Sequence, residues 1–119
     1  MVGVNYKDPR PIYEQVKEIL RKQIITGVMA SGEKLPSVRE LAQAEQVNPN
    51  TIQRAYRELE NEGYIYSVPG KGSFAAERHD VLDIRKANLL KKFDETVSEL
   101  VFLGITGAEL CDRIGGTPL

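Results

Sequence analysis

The residues of this chain best suited to chemistry with a partner lie between Ser37 and Glu62. Asn50, Thr51, Gln53, Arg54 and Arg57 are interleaved with Ile52, Ala55, Tyr56 and Leu59. The apolar residues recur at i, i+3, i+4 and i+7, the spacing of one buried helical face. The polar residues then share the face opposite, where amide, hydroxyl and guanidinium groups can bond phosphate oxygens and base edges. Charge along this stretch is also ordered. Gln46 to Arg57 holds two arginines and no acid, whereas Glu58 to Glu62 holds three acids and no base. The helix macrodipole favours the reverse order by roughly a few tenths of a kcal/mol per charge. A compensating use is therefore expected, and an N-terminal half facing a polyanion would supply one. A solvated amphipathic helix with no partner is the other reading of this stretch taken alone.

Two short helices joined by a tight turn would present these groups. Ser37-Val38-Arg39-Glu40 is a capping box, in which the Ser37 hydroxyl takes the Glu40 amide and the Glu40 carboxylate reaches back. Val38, Leu41 and Ala42 form a small apolar face, and the turn falls at Glu45-Gln46-Val47. Asn48 caps the second helix, and Pro49 takes its first position, where no amide hydrogen is needed. An earlier helix follows Pro11, with Ile12, Val16, Ile19, Leu20 and Ile24 at helical spacing and a stop at Gly27. It reads as scaffold. Val28 to Pro36 reads as an extended loop or very short strand, since Pro36 biases Leu35 away from helix.

After Gly63, Tyr64-Ile65-Tyr66-Ser67-Val68 is β-branched and aromatic, hence strand-like. Pro69-Gly70-Lys71-Gly72 is a turn with a cation at its tip, and Ser73-Phe74-Ala75 can return as the partner strand. Glycine here lets backbone approach a narrow groove, and Lys71 supplies charge. A hairpin directly after a helix pair makes a winged helix-turn-helix. The expected fold is mainly α with a small β-hairpin: a winged helix-turn-helix domain over residues 1–76, then a two-helix dimerisation region over residues 77–119.

Composition permits this without demanding it. The 119 residues suit one domain, or one small domain plus an appendage; 41% are hydrophobic and 28% charged, ordinary for a soluble globular protein. The net charge is -1, so any nucleic-acid affinity must come from local placement and be salt-sensitive. Cys111 is the only cysteine, which forbids an intrachain disulfide and fits a reducing, cytoplasmic compartment. No signal peptide is evident, and no apolar run approaches the ~20 residues of a membrane span.

Three ordered motifs together carry a resemblance. Leu35-Pro36-Ser37-Val38-Arg39-Glu40-Leu41-Ala42, Val47-Asn48-Pro49-Asn50-Thr51-Ile52-Gln53-Arg54-Ala55-Tyr56-Arg57-Glu58-Leu59-Glu60-Asn61-Glu62-Gly63 and Pro69-Gly70-Lys71-Gly72-Ser73-Phe74 resemble the DNA-binding domain of GntR-family bacterial transcription regulators. The likeness covers residues 9–76 and includes Pro11-Ile12-Tyr13-Glu14-Gln15-Val16. It implies that the second helix of the pair enters the major groove, Arg39 meets phosphate or a guanine edge, and the wing lies at the minor groove. By position the implied DNA-binding residues are Ser37, Arg39, Asn48, Asn50, Thr51, Gln53, Arg54, Lys71 and Gly72, with Arg57 added from the helical face itself. Many members of the family carry arginine where this chain has Pro49, and often where it has Gln53, so a different base preference is expected. Gln53 could read adenine in bidentate fashion, whereas arginine would favour guanine.

The remainder reads as helical. Glu77-Arg78-His79-Asp80 is expected to be a junction, followed by a helix from about Val81 to Leu103. Leu90, Phe93, Val97, Leu100 and Gly104 follow a 3-4-3-4 spacing, widened by Leu82, Ile84, Leu89, Val101, Phe102 and Leu103. Thr106-Gly107-Ala108-Glu109 is a second capping box, opening a short helix before Gly115-Gly116. Two helices cannot bury so much apolar surface on each other. Pairing with a second copy through Leu90, Phe93, Val97, Leu100 and Val101 is expected over folding back on the first domain. This region is similar to the short C-terminal part of the YtrA-type GntR subfamily, which implies a dimeric repressor of a palindromic operator, often near genes for membrane transporters. It leaves no room for a separate metabolite-binding domain, so whether and how a small-molecule effector acts stays open.

An enzyme and a protein-binding winged helix are the competing classes. General acid–base work wants positioned His, Glu or Asp in a cleft, and the single His79 sits at the junction. No cluster offers metal ligands. Cys111 is expected to be a buried small hydrophobe. The expectation is a non-enzymatic DNA-binding regulator without cofactor or metal, with double-stranded DNA and a second copy of the chain as partners.

Overall fold

Each helix of the first unit forms where an apolar stripe of helical period meets a capping signal. The computed structural model describes residues 2–116. Its element order is α1 (Ile12–Thr26), α2 (Val38–Glu45), α3 (Pro49–Asn61), β1 (Ile65–Val68), β2 (Gly72–Ala75), α4 (Arg78–Phe102) and α5 (Gly107–Gly115). The chain divides after Ile84 into two compact units.

In the first unit α3 packs against α1, α2 and β1. The core takes Val16, Leu20 and Ile24 from α1, Leu41 and Ala42 from α2, and Ile52, Ala55, Tyr56 and Leu59 from α3. Tyr64, Ile65 and Ala75 close it from the hairpin side. Ser37 Oγ accepts the Glu40 amide while Glu40 accepts the Ser37 amide, which completes the capping box of α2. Gln46 ends that helix in the left-handed conformation, at φ 55°, and makes the tight turn into Asn48.

The hairpin is antiparallel, with Ile65 opposite Ala75 and Val68 opposite Gly72. Tyr66 and Phe74 face each other across it with ring centroids 5.7 Å apart. Lys34 bridges to Phe74, and the Leu35 amide donates to the Ser73 carbonyl at 2.8 Å. The extended segment before α2 is thus pinned to the wing. Gly63 leads into the hairpin at φ +89°, where a Cβ would lie 2.7 Å from Ile84 Cδ1. The left-handed backbone favours glycine there, and any Cβ would also push the Ile84 side chain aside.

Two expectations about the chain after the hairpin are corrected. The helix expected from about Val81 already begins at Arg78, so the junction Glu77-Arg78-His79-Asp80 is mostly helical. Glu77 accepts the Asp80 amide at 3.2 Å, the Arg78 amide donates to Ser31 Oγ and its Nε to the Ile25 carbonyl. Local capping and these ties extend the helix backwards. Val81 is buried and Ile84 packs on the core of the first unit, so Ile84 does not belong to the apolar stripe of the second.

The second unit holds the rest of α4 and α5. Thr106 Oγ1 accepts the Glu109 amide at 3.2 Å and caps α5. Leu90 (62% exposed), Phe93 (48%), Val101 (53%) and Phe102 (88%) stand out to solvent, and Val97 and Leu100 are half-buried. Cys111 is exposed rather than buried. Leu110 beside it is half-buried, whereas Ile114 is exposed.

Tyr64 has no exposed surface, yet its hydroxyl has no hydrogen-bond partner among the described residues. An unsatisfied buried hydroxyl costs about 1–3 kcal/mol. Tyr64→Phe is therefore expected to raise stability by about 1 kcal/mol or more, read as a higher urea midpoint with an unchanged slope. A lower midpoint would show that the hydroxyl is satisfied in solution.

Candidate nucleic-acid interface

The reading face of α3 follows from what the helix buries. Successive side chains advance by about 100°. With Ile52, Ala55, Tyr56 and Leu59 buried, Asn50, Gln53 and Arg57 fall on the opposite side, and all three are exposed. Thr51 is half-buried at the edge. Gln53, Arg57 and Arg39 have no side-chain hydrogen-bond or ion-pair partner among the described residues. Asn48 accepts the Asn50 amide at 2.8 Å, so its carboxamide oxygen is committed to capping while its amino group keeps its donors. Ser37 is likewise committed as an acceptor.

Arg54 is placed differently. Its Nε donates to Glu58 Oε2 at 3.1 Å, and its guanidinium carbon lies 3.7 Å from the centroid of the Tyr13 ring. It belongs to the α1-facing flank of the outer face. The acids that follow also have internal partners. Lys17 of α1 bonds Glu58 at 3.1 Å and Glu62 more closely, and Glu60 accepts the Ser67 amide at 3.0 Å. Lys17 and Arg54 hold the Glu58 carboxyl below its usual pKa. Burial pulls the Lys17 ammonium down, but the bonds from Glu62 and Glu58 outweigh it and leave the group above its usual value. The acidic C-terminal half of α3 thus fastens the helix to α1 and to the hairpin, a use the linear charge order could not reveal.

The wing and the start of α2 converge. Lys34, Ser37, Lys71 and Gly72, with Leu35, Pro36, Val38, Tyr56 and Ser73, line one cleft of about 300 Å³. The Tyr56 hydroxyl donates to the Pro36 carbonyl at 2.6 Å and ties α3 to its wall. Gly72 has φ +117°, and the Lys34 Cε atom lies 3.0 Å from where a Cβ would stand. Lys34 was absent from the residues singled out by sequence. The signal available was its place just before Leu35-Pro36, but only the bridge to Phe74 brings it beside the wing tip. Neither Lys34 nor Lys71 makes an ion pair among the described residues. Among those residues no helix is long and apolar enough to cross a membrane.

A capped helix pair with an unpaired polar outer face, beside a glycine-bearing basic hairpin, defines a winged helix-turn-helix of the DNA-binding kind. The chain belongs to the gntR family of bacterial regulatory proteins, whose family model matches residues 12–74. It is 43% identical over 77 residues to the HTH-type transcriptional repressor YtrA of Bacillus subtilis, covering 65% of this chain and 59% of that protein. A GntR family transcriptional regulator from Listeria monocytogenes superposes with a TM-score of 0.68 at 36% identity, over 93% of this chain and 98% of that one. The DNA-binding domain of AraR in complex with an operator matches with a TM-score of 0.55 at 34% identity, over 64% of this chain and 93% of that one. The protein is a GntR-type DNA-binding transcriptional regulator, a family of regulators rather than enzymes.

The acid-dependent behaviour of α3 follows from Glu58. A carboxyl whose folded pKa lies below its ordinary 4.5 adds stability that is complete above that value and is lost as pH falls through the folded pKa. Glu58→Gln is expected to cost about 0.5–1 kcal/mol at neutral pH. The difference from wild type should shrink as urea titrations move from pH 6 to pH 3; a gap that stays constant would remove Glu58 from the acid response.

Proposed function

We propose that the protein is a dimeric repressor that binds a palindromic operator, with α3 in the major groove of each half-site. The observation that carries this reading is the outer face of α3, where Asn50, Gln53 and Arg57 are exposed while the acids of the same helix are held by internal partners. Gln53 and Arg57 supply base-edge donors, and Thr51 and the Asn48 amino group lie at the margin. Arg39, Lys34 and Lys71 supply phosphate contacts around the groove, with Gly72 letting the wing approach the minor groove. A protein-binding winged helix would not need Lys34, Arg39, Arg57 and Lys71, four cations without an ion pair among the described residues, placed on these adjoining elements.

Dimerisation is proposed through the second unit. Leu90, Phe93 and Val101 are exposed there, with Val97 and Leu100 half-buried beside them. An apolar face of this kind marks an interaction surface. A twofold pair would set two α3 helices about 34 Å apart, one turn of duplex. The similarity to YtrA, named a repressor, supports repression, and the YtrA-type likeness makes a transporter operon the first place to seek the operator.

The test is selection of bound duplexes from a random pool, followed by mobility shifts of the recovered site. Competitor-resistant, salt-dependent binding to a twofold-symmetric sequence is expected; recovery of no sequence would refute the proposal. Gln53→Ala should cost about 1–3 kcal/mol and relax preference at one base pair, whereas Lys71→Ala should weaken all sequences alike and make the salt dependence shallower. Phe93→Glu should yield monomers by analytical ultracentrifugation and bind the full site poorly. An undiminished dimer would move the interface elsewhere.

A further inference from the structure

We infer that Tyr13 of α1 is a positioning residue that aims Arg54 at a DNA phosphate; this rests on the DNA reading above. The guanidinium of Arg54 lies over the Tyr13 ring at 3.7 Å, and Glu58 takes its Nε at 3.1 Å. A planar cation stacked on a ring and bonded along one edge has its orientation set. Its two terminal nitrogens have no partner among the described residues, and the side chain is 52% exposed. Those nitrogens form the fork that suits two phosphate oxygens at once. Arg54 lies about 200° round the helix from buried Ile52, next to Asn50 and Arg57 but turned toward α1. Its backbone position is central on the outer face, but its side chain is drawn back toward α1 by Tyr13 and Glu58, which aims the guanidinium at the sugar–phosphate rim rather than the base edges.

The ring is itself held. Tyr13 and Lys17 are four residues apart on α1 and share a face of that helix. Lys17 is bonded to Glu58 and Glu62, so the carboxylate that steadies Arg54 is anchored to the same helix that supplies the ring. The arginine therefore gives up little rotamer freedom when it binds, and preorganisation of this kind strengthens a contact without adding one. Among the described residues Tyr13 donates its hydroxyl only to neighbouring Glu14, at 3.2 Å, so the ring rather than the hydroxyl does the positioning.

The experiment uses the full chain and a duplex recovered with the wild-type protein from a random pool, titrated at several salt concentrations. Tyr13→Leu should weaken binding about two- to fivefold, the range of an exposed cation–ring contact, with the salt slope unchanged because the charge remains. Arg54→Gln should make the slope shallower by about 0.9, the loss of one phosphate contact. Tyr13→Phe should bind like wild type. Adding Tyr13→Leu to Arg54→Gln should cost nothing further, which a merely structural role of the ring would not produce. Should Tyr13→Leu fail to fold by circular dichroism, Arg54→Lys carries the test: it should keep the slope and lose affinity by a similar factor. Wild-type affinity in Tyr13→Leu or Arg54→Lys, an unchanged slope in Arg54→Gln, or a loss in Tyr13→Phe equal to that of Tyr13→Leu would each overturn the inference. If the wild-type chain recovers no duplex, the DNA reading falls and this inference with it; if it does and the variants match it, only the inference falls.

Discussion

Burial of one stripe of α3 is the constraint on which the first unit depends. Ile52, Ala55, Tyr56 and Leu59 are each buried, and the helix meets α1, α2 and β1. Burying a large apolar side chain contributes about 1.5–3 kcal/mol, so rotating α3 to hide its polar face would forfeit several such terms and strand amide and guanidinium groups in the core. The outer face is therefore fixed by the inner one. Asn50, Gln53 and Arg57 need no internal partner, because packing on the far side of the helix has already decided where they stand.

The acids of α3 show how a charge pattern can carry two meanings. Read along the chain, bases before acids oppose the helix macrodipole and suggest a polyanion at the N-terminal half. In three dimensions the acids gain their own return. Glu58 and Glu62 hold Lys17, and Glu60 closes the amide of Ser67 at the first strand. The unfavourable order is offset by these ties whether or not a polyanion is present. What the order still distinguishes is Arg57, which has no internal partner among the described residues while the acids after it do.

The second unit raises the opposite problem, an apolar surface with too little to cover it. α4 carries Leu90 and Phe93, and later Val101 and Phe102, toward solvent, while α5 leaves Cys111 and Ile114 exposed. The 3-4-3-4 spacing of this stripe is that of a helix built to pack against another. A cysteine judged by its usual behaviour would be buried; here it is exposed because the unit is only two helices thick. The proposed pairing with a second copy would cover the stripe.

Much of this was legible from residue types and their periods. The α3 stripe, the capping box at Ser37, the Asn48-Pro49 helix start and the hairpin around Lys71 are local signals, each satisfied by residues within a few positions of one another. Local signals survive folding because backbone groups must be bonded wherever the segment goes. The start of α4 is not legible in the sequence, because Arg78 is tied to Ser31 and the Ile25 carbonyl, partners far away along the chain. For the same reason the role of Lys34 beside Gly72, the stacking of Arg54 on Tyr13 and the pairing of Lys17 with Glu58 and Glu62 belong to the tertiary structure alone. On α2 and α3 the sequence by itself determined which side chains face outward, because their capping and apolar periods are local. Only the packing of α1 and the wing around α3 decided which of those cations are held and which are left unpaired, because ion pairs and ring contacts depend on distance in space, and one-dimensional order does not specify that distance.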